Sequence, residues 1–203
     1  MTRKKTGILG GTFNPVHMVH MILAENAYRD FSLDEIILLP SGSPPHKAGR
    51  NIAPAADRLN MLKIAARDIP YFRVSDLEIR RQGYSYTADT LDKLRVDQPD
   101  TDFYFIMGGD SLFQLESWHE PERVMRDCTI LAAVRNNVKA DAFIARASYL
   151  REKYGAHIRL MDLPDIELSS SEIRDRCGRG RSVRFMVPAG VEDYIREKGL
   201  YRG

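Results

Sequence analysis

Thr6-Gly7-Ile8-Leu9-Gly10-Gly11-Thr12-Phe13-Asn14-Pro15-Val16-His17-Met18-Val19-His20 is the stretch that decides how this chain is read. Ile8-Leu9 begins it as a short apolar strand. Two glycines follow, then a proline and two histidines where a helix should start. Gly10 and Gly11 carry no Cβ, so the backbone can turn tightly and a ligand can approach it closely. Pro15 has no N–H to orphan and a φ that suits a first helical turn. Amides at a helix start point outward and the helix dipole favours negative charge there, which suits phosphate. His17 and His20 are three apart and would share a helical face beside those amides. The glycines do not space as the dinucleotide fingerprint G-x-G-x-x-G, and no P-loop lysine follows. A tight turn with no ligand is the plain alternative. Val19 also falls in an apolar helical stripe with Ile22, Leu23 and Ala27.

The rest of the chain sets limits on that stretch. With 203 residues, 43% hydrophobic and 29% charged, it has the composition of an ordinary soluble globular domain. The expected organisation is one domain over 1–203, with the C-terminal part from about 165 adding a phosphate-binding element and a closing helix. A formal net charge of +2 argues against a nucleic-acid coat. Cys128 and Cys177 are isolated, with neither zinc spacing nor a disulfide framework. No apolar run approaches the roughly 18 residues of a membrane span, and Met1-Thr2-Arg3-Lys4-Lys5 leads into no apolar signal segment. A cytoplasmic enzyme or binding protein is expected, with no membrane partner.

Strand-like and helix-like stretches alternate from end to end, which predicts βαβ units: an α/β, doubly wound, mostly parallel sheet. Ile36-Ile37-Leu38-Leu39 is a continuous apolar run, as in a strand covered on both faces. Phe72-Val74, Phe103-Met107, Cys128-Val134 and His157-Leu160 read as further strands, and Leu77-Ile79 as another, antiparallel one. Helices are expected over His17–Arg29, Ala55–Arg67, Ala88–Leu94, Ala140–Lys153 and Val191–Lys198, the last stopped by Gly199. In such sheets ligands sit at the carboxyl ends of the strands, where the strand order reverses.

The residues following the strands are the informative ones. Pro40-Ser41-Gly42-Ser43-Pro44-Pro45-His46-Lys47 is a proline-stiffened loop that presents His46 and Lys47, and taken alone it is a polar surface loop. Gly83-Tyr84-Ser85-Tyr86-Thr87-Ala88 opens a helix, with Ser85 or Thr87 as its cap. Gly108-Gly109-Asp110-Ser111 puts an acid at a strand end, suited either to ribose hydroxyls or to a simple helix cap. Trp118 is the single tryptophan, a residue type most often found in the core. Arg135 is either a surface charge or a phosphate partner. Leu168-Ser169-Ser170-Ser171-Glu172-Ile173-Arg174 carries a capping-box pattern in Ser169 and Glu172. Arg176, Arg179, Arg181 and Arg184 after it form a charge run of the kind usually found on a solvated face.

The order G-G-T-F-N-P-x-H-x-x-H resembles the first signature of the nucleotidyltransferase superfamily, G-x-F-x-P-x-H-x-G-H. Val19 stands where that family usually has glycine. Leu168 to Arg174 resembles its second signature, I-S-S-T-x-I-R. The P-P-H-K loop, S-Y-T-x-x-T-L, G-x-D-x-L, Trp118 and the ending Val187-Pro188 to Gly199-Leu200-Tyr201 together resemble the nicotinate-nucleotide adenylyltransferase branch. The resemblance covers nearly the whole chain and implies a Rossmann-like fold that joins ATP and nicotinate mononucleotide into deamido-NAD and pyrophosphate. It implies His17, His20, Lys47 and Arg174 as catalytic residues. It puts ATP on Gly10, Gly11, Thr12, Phe13, Gly109, Asp110, Ser169, Ser170 and Ser171. It puts the nicotinate nucleotide on His46, Thr87, Ala88, Trp118 and His119. Mg²⁺ would arrive with ATP, since no carboxylate cluster suggests a protein cage for a metal.

Two alternatives stay open. A sister enzyme acting on phosphopantetheine or using CTP would share both signatures but should lack Trp118 and the P-P-H-K loop. A nucleotide-binding regulator without catalysis would be consistent with Val19, although His17, His20, Lys47 and Arg174 are intact. The sequence leaves oligomeric state, monomer or homo-oligomer, open.

Overall fold

Strands β1 (Lys4–Gly11), β2 (Glu35–Pro40), β3 (Phe72–Val74), β4 (Thr101–Gly108), β5 (Thr129–Arg135) and β6 (His157–Leu163) form a six-stranded sheet in the order β3-β2-β1-β4-β5-β6. Every neighbouring pair is parallel. This computed structural model describes residues 2–42, 52–81, 83–135, 140–164 and 166–202. The strand order reverses between β1 and β4, which is the switch point of a doubly wound fold and opens a crevice at their carboxyl ends.

β2 shows why parallel strands read as unbroken apolar runs. Ile36 and Leu38 join the core on one face, Ile37 and Leu39 the core on the other, and none is more than 1% exposed. Each contributes roughly 1.5–3 kcal/mol of burial. Helices α1 (Met18–Asp30), α2 (Ala55–Ala66), α8 (Ser170–Gly178) and α9 (Val191–Glu197) pack on the first face. The second is covered by α4 (Thr87–Asp97), α5 (Gly109–Gln114), α6 (Pro121–Asp127) and α7 (Ala140–Tyr154). Gly7 lets these layers close, because a β-carbon there would strike the side chains of Ile36 and Leu33. After α9, Gly199 takes φ 62° and the Leu200 N–H donates to the Ile195 carbonyl at 3.0 Å, the left-handed stop expected of that glycine. Among the described residues no helix is long and apolar enough to cross a membrane.

Several local expectations change. Leu77-Ile79 is not an antiparallel strand but lies in a short helix, α3 (Leu77–Arg80), so the sheet is wholly parallel. Its apolar-polar-apolar pattern fits either structure over so few residues. The first helix begins at Met18, with His17 in extended conformation as its cap residue (φ −142°, ψ 169°). Pro15 therefore lies ahead of the helix and not in its first turn. Neither Ser85 nor Thr87 caps α4: Tyr86 is the cap residue, and no side chain bonds the helix start. At α5 the cap position belongs to Gly108, which leaves Asp110 exposed in the first turn. Val19 is half-buried and lies outside the packed cluster; the buried face of α1 is Met21, Leu23, Ala24 and Ala27.

Candidate active site

The crevice begins where β1 ends. Gly10 and Gly11 are its last two residues and stay extended, so they do not make the turn. Their missing β-carbons leave room for aromatic rings: a Cβ on Gly10 would meet Phe105 at 3.4 Å, and one on Gly11 would meet the Phe13 ring at 3.4 Å. The left-handed residue is Phe13, at φ 48°, a conformation that costs a non-glycine residue on the order of 1 kcal/mol. Burial holds it there, at 2% exposure, with its ring edge-on to His20 at 4.9 Å between centroids. His17 and His20 stack at 3.7 Å. The His17 N–H donates to His20 Nδ1 at 3.1 Å. Since Nδ1 accepts, a neutral His20 carries its proton on Nε2, which makes Nε2 a donor.

The amides at the start of α1 are less available than the sequence suggests. The Met18 N–H donates to the Met186 carbonyl at 2.9 Å, and the His20 N–H to the His17 carbonyl at 2.9 Å. The C-terminal segment thus engages the first of these amides, and a local bond engages the third.

The second signature docks directly onto the first. Ser169 Oγ caps α8 by accepting from the Glu172 N–H at 3.1 Å, as the capping pattern predicts. Ser170 Oγ donates to the Pro15 carbonyl at 2.9 Å, and Arg174 Nη1 to the Asn14 carbonyl at 2.8 Å. Arg174 and Ser170 are half-buried, whereas Ser169 and Ser171 are exposed. Hydroxyls and a guanidinium therefore stand beside the histidine pair although some 160 residues separate Arg174 from Asn14. Much of the arginine run is tied down: Arg176 donates to the Ser182 carbonyl, Arg179 pairs with Asp175 at 3.0 Å, and Arg184 lies 3.7 Å from Glu192.

Across the crevice, Trp118 is half-buried with its ring edge-on to Phe105 at 5.8 Å. Phe105 thus lies between the β-carbon position of Gly10 and the Trp118 ring. His119 is exposed and stacks on Tyr86 at 4.1 Å. Tyr86 immediately precedes Thr87 and Ala88, so the Trp118-His119 segment and the start of α4 form one wall. Gly109 serves packing: a Cβ would run into the Ala133 carbonyl oxygen and the Phe143 ring, each at 2.6 Å. His46 and Lys47 lie outside the described residues. Thr12 lies on the turn, its carbonyl engaged by Arg58.

Arg58 escaped the sequence reading. It is 1% exposed and donates to four carbonyls, those of Ala53 (3.1 Å), Thr12 (2.9 Å), Ser41 (2.7 Å) and Gly42 (3.1 Å). Burial pulls its pKa down, and the four carbonyls offset that desolvation. A signal was present, because Arg58 shares the helical phase of Met61, Leu62 and Ala65, a buried face. Asn14 is a second junction: its Oδ1 accepts from the Ala53 N–H at 3.0 Å and the Tyr201 hydroxyl at 2.9 Å. Among the described residues no group of three or more His, Cys, Asp or Glu side chains could hold a metal ion. A cavity of about 620 Å³, lined by Lys5, Tyr104, His157 and Arg159 among others, lies at the opposite, amino end of the strands and holds none of these groups.

The cytidylyltransferase-like family model matches residues 8–176. A probable nicotinate-nucleotide adenylyltransferase of Lachnoclostridium phytofermentans is 46% identical over 98% of this chain and 99% of its own length. The chain belongs to the nicotinate-nucleotide adenylyltransferase family. A relative of the same family from Dehalococcoides mccartyi (strain CBDB1) is 44% identical over 99% of this chain and 98% of its own. The family's fold is matched by the nicotinic acid mononucleotide adenylyltransferase of Plasmodium falciparum complexed with NaAD, with a TM-score of 0.79 over 98% of this chain and 97% of that one, at 21% identity. As a member of that family the protein is a nucleotidyltransferase.

Proposed function

We propose that the chain transfers AMP from ATP to nicotinate mononucleotide, giving deamido-NAD and pyrophosphate. The observation that carries the reading is the docking of Ser170 and Arg174 onto the Asn14-Pro15 turn beside His17 and His20. It gathers donors suited to a triphosphate at the β1–β4 switch point, opposite an aromatic wall suited to a pyridine ring. A phosphate oxygen of the mononucleotide attacks the α-phosphorus of ATP. The bond from that phosphorus to the bridging oxygen breaks, and its electron pair leaves with pyrophosphate. Neither a covalent intermediate nor a proton-abstracting base is required, so catalysis is positioning and stabilisation of charge.

In this reading His20 donates from Nε2 to the α-phosphate, and His17 holds His20 in that tautomer. Arg174, with Lys47, takes charge on the leaving phosphates. Ser169, Ser170 and Ser171 line the start of α8 beside the outer phosphates, while Gly109 and Asp110 serve the adenosine half. The nicotinate side falls to Thr87, Ala88, Trp118, His119 and His46. Mg²⁺ enters on ATP, a hard cation that keeps several waters and is bound largely through phosphate oxygens. Residues 1–203 act as one domain. The test is pyrophosphate release from ATP and Mg²⁺ with a panel of acceptors: nicotinate mononucleotide, nicotinamide mononucleotide and phosphopantetheine. Nicotinate mononucleotide should give the highest kcat/KM. A higher value for phosphopantetheine would assign the chain to a sister activity, and no release with any acceptor would favour a regulator.

A further inference from the structure

Glu78 is a buried carboxylate that the reaction above does not use. It lies in α3, 8% exposed, and accepts from the Thr90 hydroxyl at 2.8 Å, Thr90 itself being 2% exposed. Thr90 belongs to the first turn of α4, one turn beyond Thr87. A second tie runs between the same elements, with Arg81 Nη1 3.7 Å from Asp89 Oδ2. α3 is in turn pressed against the exit of β2, because a β-carbon on Gly42 would run into the Glu78 carbonyl oxygen. Burial raises the pKa of Glu78, while the Thr90 hydroxyl and the nearby Arg81 work to lower it. Since no side chain caps α4, no capping bond orients its first turn.

We propose that Glu78 is a positioning residue for the acceptor nucleotide: through Thr90 it fixes the first turn of α4, and so the Thr87-Ala88 backbone, against the wall that carries Trp118 and His119. Glu78 acts from behind the helix and touches no substrate. The inference rests on the reading of Thr87 and Ala88 as acceptor-side residues. Its chemistry is that of a buried hydroxyl–carboxylate bond, whose loss frees a helix turn and strands a buried polar group.

The experiment is steady-state kinetics of Glu78→Ala, Glu78→Gln, Thr90→Val and Thr90→Ser, with each substrate varied in turn and a thermal melt of each protein. Glu78→Ala and Thr90→Val should raise KM for nicotinate mononucleotide about tenfold, the scale of one lost buried hydrogen bond to a charged group, and leave KM for ATP within about twofold. Glu78→Gln and Thr90→Ser keep an acceptor and a donor in place and should restore KM to within about threefold. Equal rises for both substrates, or no rescue by the conservative pair, overturns the proposal. Should Glu78→Ala fail to fold, the contrast of Thr90→Val with Thr90→Ser decides alone. Wild-type activity separates the two ideas: a wild type that rejects nicotinate mononucleotide sinks the functional reading, and the same KM split, read with the acceptor it does use, still decides Glu78.

Discussion

His20 shows how much one side chain can depend on its neighbour's backbone. Its Nδ1 is occupied by the His17 N–H and its ring packs on His17 and Phe13, so its tautomer and ring position are set before any ligand arrives. A donor preorganised in this way is worth most in the transition state. His20→Ala should therefore lower kcat by about two to four orders of magnitude and weaken ATP binding far less. A folded variant with near-normal kcat would remove His20 from the chemistry. Trp118 is a different case: half-buried, it packs on Phe105 and keeps part of its ring open. Stacking on a pyridine ring, by analogy with bases on aromatic side chains, is worth roughly 1–3 kcal/mol. Trp118→Ala should raise KM for nicotinate mononucleotide and leave that for ATP nearly unchanged; matched losses for both substrates would mark it as a core residue. Cys128, by contrast, is inert, its thiol pushed up to about 12 by burial.

At the scale of elements, the segment carrying Trp118 is held by a charged clamp. Glu116, in the short 3₁₀ turn Leu115–Ser117, accepts from Lys153 Nζ at 2.8 Å, Tyr154 Oη at 2.7 Å and Arg146 Nη1 at 2.8 Å, all from α7. Those bonds, with Lys153 contributing most, hold its pKa at about 2 against an ordinary 4.5. A carboxyl depressed in the folded state adds stability above its unfolded pKa and loses that stability as pH falls towards the folded value. Wild type should therefore melt higher than Glu116→Gln at pH 6, and the gap should close progressively between about pH 4.5 and 2. A gap that stays constant over that range, measured by calorimetry at fixed ionic strength, would show that the clamp does not act through charge. The same logic of elements holding elements makes α3 matter: only four residues long, it braces the start of α4.

Across the whole molecule, Arg58 ties together what the strand order brings near. One guanidinium joins the turn after β1, the exit of β2 and the lead into α2, while Asn14 adds the C-terminal Tyr201. Burial of that Tyr201 raises its pKa, so its hydroxyl stays a donor to Asn14 across the physiological range. Arg58→Met should cost roughly 3 kcal/mol or more, because four carbonyls, one buried and three part-buried, lose their partner at once. Urea titration measures this, and a loss below about 1 kcal/mol would mean that water or a shifted backbone replaces the guanidinium.

The alternation of apolar runs with amphipathic stretches, and the spacing of Gly10 to His20 and of Ser169 to Arg174, were enough to determine the α/β class and the family, and to name the residues of a candidate site. These are local signals: unbroken apolar runs of strand length, the order of glycines, proline and histidines, hydroxyls at a helix start. Where local pattern was too short to discriminate, as at Leu77-Ile79, or where a φ of 48° fell on Phe13 and not on a glycine, the tertiary structure decided. It also decided the bond from the Met18 N–H to Met186, the four-carbonyl seat of Arg58 and the Glu78–Thr90 bond. Each of these joins residues from separate elements, and its energy depends on desolvation that exists only once the sheet has closed. A side chain's sequence neighbours cannot report which carbonyl will face it across a crevice; the packing of the strands and helices does.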